Sequence, residues 1–199
     1  MKSDPTFWIL ARATGLAAFV LLTVSVLAGL VVKSRPFGTR LKPATATDLH
    51  RTLALLSLSA VLLHVGTLLV DDAANIGVGA VLVPGLSPYR PVATGLGVLA
   101  FELMVLVYAS FSLRRRIGQK NWRRLHHTTF GLFALAAGHG LFAGSDTAAP
   151  WGLGLYLGAI GAVAAALAWR LLVPPARPQP RPRPAAASAP APQPKEEPA

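Results

Sequence analysis

Apolar residues fall in five long runs, at about residues 7–32, 48–70, 92–113, 125–143 and 151–173, separated by short polar or Gly- and Pro-containing stretches. Each run is near the roughly 20 apolar residues with which a helix crosses a hydrocarbon core about 30 Å thick. The pattern predicts an all-α, polytopic membrane bundle of five transmembrane helices over residues 7–173. The first run is too long for a secretory h-region and no small-residue cleavage site follows it, so it reads as a span. From Pro174 to Ala199 the chain is rich in Pro, Ala and Arg and closes on Lys195, Glu196 and Glu197. That composition cannot bury a core and predicts a disordered tail over 174–199.

Polar residues between the runs set the orientation. The first loop carries Lys33, Arg35, Arg40 and Lys42, and the third carries Arg114, Arg115, Arg116, Lys120, Arg123 and Arg124. The second loop has Asp71 and Asp72 with only Arg90, and the fourth has only Asp146. By the positive-inside rule the N-terminus is outside, loops one and three are cytoplasmic, and the C-terminal tail is inside. All four tryptophans, Trp8, Trp122, Trp151 and Trp169, fall at predicted span ends, as in an aromatic belt.

Composition agrees: 53% of residues are hydrophobic, 14% are charged and mean hydropathy is +0.50. The net charge of +11 is then a topology signal, and the expected partner is a lipid bilayer, not nucleic acid. The lack of cysteine excludes disulfides, thiolate metal sites, iron–sulfur clusters and c-type haem attachment.

All five histidines lie in two runs: His50 and His64 in the second, His126, His127 and His139 in the fourth. An ionisable side chain at membrane depth is costly unless something binds it. Both spans are predicted to run from inside to outside, with His50 and His126 near the cytoplasmic start. His64 follows His50 by 14 residues and His139 follows His126 by 13, each about 20 Å at 1.5 Å per residue. Two cross-helix pairs result, one near each membrane face. A b-type haem with two axial imidazoles is the natural occupant of such a pair, since iron ligated on both sides favours electron transfer.

Helical phase treats the spans differently. At about 100° per residue, His64 returns to within about 40° of His50, whereas His126 lies about 140° from His139 and His127 about 120°. Span four must bend or use different flanks, and spacing alone does not choose between His126 and His127. A histidine hydrogen-bonded to a neighbouring helix is the plainer alternative for any one position. Zinc or proton-relay sites fit poorly without nearby carboxylates or cysteines.

These residues resemble the ferric reductase-like transmembrane domain family, which includes the haem-binding membrane part of NADPH oxidases and iron reductases. It also includes the membrane haem subunit of the bacterial periplasmic methionine sulfoxide reductase system. The resemblance rests on Asp48-Leu49-His50-Arg51 with His64, and on Trp122-Arg123-Arg124-Leu125-His126-His127 with His139, and covers about residues 8–172. It implies two haem b groups, the inner on His50 and His126 and the outer on His64 and His139, and it selects His126 over His127. The family commonly has six spans, and the one lacking here is N-terminal. Gly77-Val78-Gly79 and Gly95-Leu96-Gly97 belong to a loop and a span start, so no flavin or nicotinamide site is expected in this chain. A separate flavoprotein or a quinol would then supply electrons, and an extracytoplasmic protein or ferric iron would accept them.

Several further residues enter this reading. Arg12 near the outer surface and Arg51 beside His50 are candidate partners for haem propionates, as are Arg123 and Arg124; snorkelling and cytoplasmic anchoring are the alternatives. Glu102 lies mid-span, where a hydrogen bond across helices is the favoured explanation and proton acceptance the other. Gly15, Gly29 and Gly131 are candidate points of close approach, while Gly154 and Gly158 suggest helix packing. The rival functions are a membrane anchor or assembly protein binding one haem or none, and a histidine-based metal or ion carrier.

Overall fold

The structure, a computed structural model, describes residues 6–34, 43–72 and 74–173. The predicted tail, and the side chains of the first basic loop, lie outside the described residues. Among those described, all regular structure is helical: α1 Thr6–Ser34, α2 Pro43–Val70, α3 Val78–Leu82, α4 Pro91–Ile117, α5 Gln119–His126, α6 Thr129–Ala143 and α7 Pro150–Leu172, with a 3-10 turn at Asp146–Ala148. Pro91 and Pro150 open α4 and α7, where proline's missing N–H costs nothing. Gly118, at φ 81°, ends α4 in a conformation that favours glycine.

Four of these helices, α1, α2, α4 and α7, are long and apolar enough to cross a membrane. The expected fourth span of 125–143 is instead divided between α5 and α6. The 15 residues of α6 reach only about 22 Å, short of a hydrocarbon core of about 30 Å. The break has a local cause. The hydroxyls of Thr128 and Thr129 turn back to the carbonyls of Leu125 and His126, at 2.6 and 2.8 Å, competing with the helical ladder. The third basic segment is likewise helical, not a loop. Arg114, Arg115 and Arg116 form the last turn of α4, where positive charge suits the helix dipole, and Lys120, Arg123 and Arg124 lie on α5.

α1 is the centre of the bundle. In its most apolar window 39% of residues are buried, against 11% in each of α2, α4 and α7. Phe19, Leu22, Val26 and Leu30 of α1 form one core with Leu132 and Phe133 of α6 and Tyr156 and Val163 of α7. Phe19 anchors it, stacked on Phe133 at 5.8 Å and tilted against Tyr156 at 4.7 Å. Most other large apolar side chains face outward, as lipid-facing residues do. The stretch before α4 folds back over the end of α6: Tyr89 Oη donates to the Ala143 carbonyl at 3.2 Å and Arg90 Nη1 to that of Phe142 at 2.6 Å. These bonds satisfy carbonyls that a helix C-terminus leaves open.

Candidate functional site

The site begins at the seam between the antiparallel helices α1 and α2. Every seventh residue of α2 sends a polar side chain to a backbone carbonyl of α1. His50 Nδ1 donates to the Ser25 carbonyl at 2.8 Å, Ser57 Oγ to that of Ala18 at 3.1 Å, and His64 Nδ1 to that of Ala11 at 2.8 Å. The carbonyls are also seven residues apart. On the opposite side of the bundle, His139 Nδ1 of α6 donates to the Ala93 carbonyl of α4 at 2.9 Å. A carbonyl oxygen only accepts, so these three imidazoles carry a proton on Nδ1 and leave the Nε2 lone pair for a metal. A metal-ligating histidine is oriented in this way.

Each of the three histidines lies over a glycine four residues beyond the accepting carbonyl: Gly29 after Ser25, Gly15 after Ala11, and Gly97 after Ala93. A Cβ on Gly29 would stand 3.3 Å from His50 Cε1, and one on Gly15 would stand 3.1 Å from His64 Nδ1. On Gly97 it would stand only 2.6 Å from His139 Nδ1. The glycines admit the imidazole rings. Gly15 and Gly29 were expected as points of close approach; Gly97 was not, although its position opposite His139 on the antiparallel α4 is equivalent. Gly131, Gly154 and Gly158 have nothing within 4 Å of an added Cβ.

The histidines meet across the bundle in two pairs. The rings of His50 and His126 have centroids 6.0 Å apart, and those of His64 and His139 6.3 Å. A metal held about 2.0 Å from one nitrogen of each imidazole would set centroids about 6 Å apart. The ring facing His50 is that of His126; His127 follows the end of α5 and stacks on Phe130 at 6.4 Å. His126 in turn stacks on Trp122, one helical turn earlier, at 5.1 Å. His64 and His139 open into a cavity of about 610 Å³ lined also by Gly15, Gly97, Phe101 and Tyr156.

The remaining candidates occupy distinct places. Arg12 lines the same cavity and makes a two-pronged ion pair with Asp146, whose Oδ2 accepts from Nε at 3.1 Å. Sequence reasoning missed Asp146 as a partner; a lone acid in a short outer loop gave no sign of what it faces. Arg51 lies over the Phe111 ring of α4, 5.3 Å from its centroid. Glu102 departs from the favoured expectation: it is exposed on α4 and, among the described residues, makes no hydrogen bond or ion pair.

Among the described residues no group of three or more His, Cys, Asp or Glu side chains comes together to hold a metal ion. Two opposed imidazoles instead suit an iron whose other positions are filled by a planar tetrapyrrole. The cavity at His64 and His139 is within the range that holds such ligands. The donor set and the glycine approaches thus fit haem.

These features define a multi-pass membrane helix bundle with two pairs of facing histidines. The family model for the ferric reductase like transmembrane component matches residues 14–137. The chain belongs to that family, whose domains generally bind haem and serve membrane electron transfer. The match takes in His50, His64 and His126 and stops two residues before His139. No curated protein and no solved structure matches the chain.

Proposed function

We propose that the protein carries electrons across a bacterial cytoplasmic membrane, from a cytoplasmic-side donor to an extracytoplasmic acceptor, with two haem b groups bound by its histidine pairs. His50 and His126 would hold the inner haem, and His64 and His139 the outer. One observation carries this reading. Two imidazole pairs stand at the separation that one metal would impose, and three of the four rings have Nδ1 committed to backbone. Each haem would supply a reversible one-electron centre whose iron has no open position.

The chain's own part is to orient and to enclose. Backbone carbonyls hold three imidazoles in one tautomer, and apolar helices keep water from the pairs. In this reading the α5–α6 segment makes a fifth crossing within a bundle over residues 7–173, the N-terminus is outside, and residues 174–199 form a cytoplasmic tail. Arg51 would contribute positive charge near the inner site, while Arg12 would line the outer site with its charge balanced by Asp146. The donor is a separate flavoprotein or a quinol, and the acceptor an extracytoplasmic protein or ferric iron.

Haem content of the purified chain tests the proposal. A pyridine haemochrome assay with a reduced-minus-oxidised spectrum should give about two low-spin b haems per chain. His64→Ala should leave about one. A haem-free chain after haem-replete expression, or two haems surviving His64→Ala, would refute it.

A further inference from the structure

Three of the paired histidines are oriented by a carbonyl beneath a glycine; the fourth, His126, has an aromatic ring stacked against it. It is the last residue of α5, next to the break, and its imidazole lies nearly parallel to the Trp122 indole, with 19° between the planes. Trp122 belongs to a cluster that joins three helices. Phe111 of α4 meets it edge-on at 6.3 Å, and the Arg114 guanidinium lies over both rings, at 5.3 Å from Phe111 and 5.6 Å from Trp122. Arg51, beside His50, covers Phe111 as well. Within this cluster the Trp122 Nε1–H is buried and, among the described residues, has no hydrogen-bond acceptor. Buried donors are almost always paired, so an unpaired one beside a ligand pair calls for an acceptor.

We propose that Trp122 is a positioning residue of the His50–His126 site, acting in two ways. Its ring face helps to set the plane of the His126 imidazole. Its indole N–H donates to a carboxylate of the tetrapyrrole bound there, with Arg114 supplying the neighbouring positive charge. A carboxylate is the acceptor this setting selects, because charge-assisted bonds to it are the strong ones and guanidinium is its usual companion. The inference rests on the haem reading above and adds to it a residue outside the ligand set.

The test uses the full chain in detergent, with His64→Ala as background so that the inner haem alone is observed. Trp122→Phe keeps a ring against His126 and removes the N–H; Trp122→Leu removes both. Trp122→Phe should retain the haem with unchanged electron paramagnetic resonance g values but a lower midpoint potential, since a donor to the anionic edge has gone. Trp122→Leu should lose haem at least about tenfold faster on washing, as loss of an orienting partner typically does. Any haem left should show altered g values. A structural role alone would not separate potential from g values. Wild-type haem retention in Trp122→Leu overturns the ring's role, and an unchanged potential in Trp122→Phe overturns that of the N–H. Helix content, and the outer haem when the same substitutions are made in the His64-intact chain, show that the variants are folded. A parent chain that binds no haem fails the underlying reading and takes this one with it.

Discussion

Replacing Gly97 by Ala tests the glycine approach where it is tightest. The added Cβ would lie 2.6 Å from His139 Nδ1, and ordinary contact begins at 3.4 Å, so 3.4 − 2.6 = 0.8 Å must be found. α4 and α6 are also close one residue away, where a Cβ on Gly138 would meet Leu96 Cδ1 at 3.2 Å, and turning one imidazole costs less than parting two packed helices. The imidazole must then move. A shift of that size along the bond would stretch the 2.9 Å contact between His139 Nδ1 and the Ala93 carbonyl to as much as 2.9 + 0.8 = 3.7 Å, which is no longer a hydrogen bond. The bond itself contributes about 1 kcal/mol, and loss of such an orienting partner typically lowers metal affinity by about 10–100-fold.

The same arithmetic grades the other positions. Gly15 requires 3.4 − 3.1 = 0.3 Å at His64 and Gly29 requires 3.4 − 3.3 = 0.1 Å at His50, while Gly158 has open space. Haem retained per chain after repeated washing should fall in the order Gly158→Ala, Gly29→Ala, Gly15→Ala, Gly97→Ala. The first should match the unsubstituted chain, and the last should keep about one haem. Equal retention in Gly97→Ala and Gly158→Ala would show that the approach at His139 has no part in ligation.

Two further substitutions probe contacts away from the histidines. The Arg12–Asp146 pair is half open, its side chains 41% and 10% exposed, so a double-mutant cycle on thermal unfolding in detergent should give a coupling of about 1 kcal/mol. Arg12→Ala alone should cost about 1–3 kcal/mol because it leaves the more buried Asp146 unpaired; strict additivity of Arg12→Ala and Asp146→Ala would mean that the ion pair contributes nothing. Glu102 is exposed and, among the described residues, unpaired near the middle of α4, so Glu102→Leu should favour membrane insertion of that segment by about 2–3 kcal/mol in a glycosylation-mapping assay. It should also raise the unfolding temperature of the chain in detergent, and a fall there would reveal a partner for Glu102.

How much of this was legible in the chain depends on whether the cause lies in composition or in pairing. The four long helices α1, α2, α4 and α7 were readable because hydrophobic length is a property of the segment itself. The α2 ladder was half readable. His50, Ser57 and His64 recur at seven residues, two turns with a drift of about 20° each time, which keeps them on one stripe. Their acceptors were not, since Ser25, Ala18 and Ala11 offer backbone carbonyls that every residue has. Gly97 and Asp146 acquire their roles only when α4 meets α6 and when the 3-10 turn at Asp146–Ala148 meets α1; no local signal distinguishes them.

The break between α5 and α6 joins these two kinds of information. Fourteen residues are two heptads, so α2 can present both its histidines toward the partner side while remaining one helix of 28 residues. Thirteen residues are not, and an unbroken helix would turn His126 about 140° away from the face of His139. The chain resolves the conflict at His127–Thr128, where the ladder tightens to i→i−3 bonds, from Thr128 N–H to the Leu125 carbonyl and from Phe130 N–H to that of His127. Two threonine hydroxyls add bonds to the Leu125 and His126 carbonyls, and α6 begins. The His126 ring can then stand opposite His50 while His139 stands opposite His64. The odd spacing that phase arithmetic could not accommodate thus marks the place where the span is interrupted, and the interruption lets one segment serve both pairs.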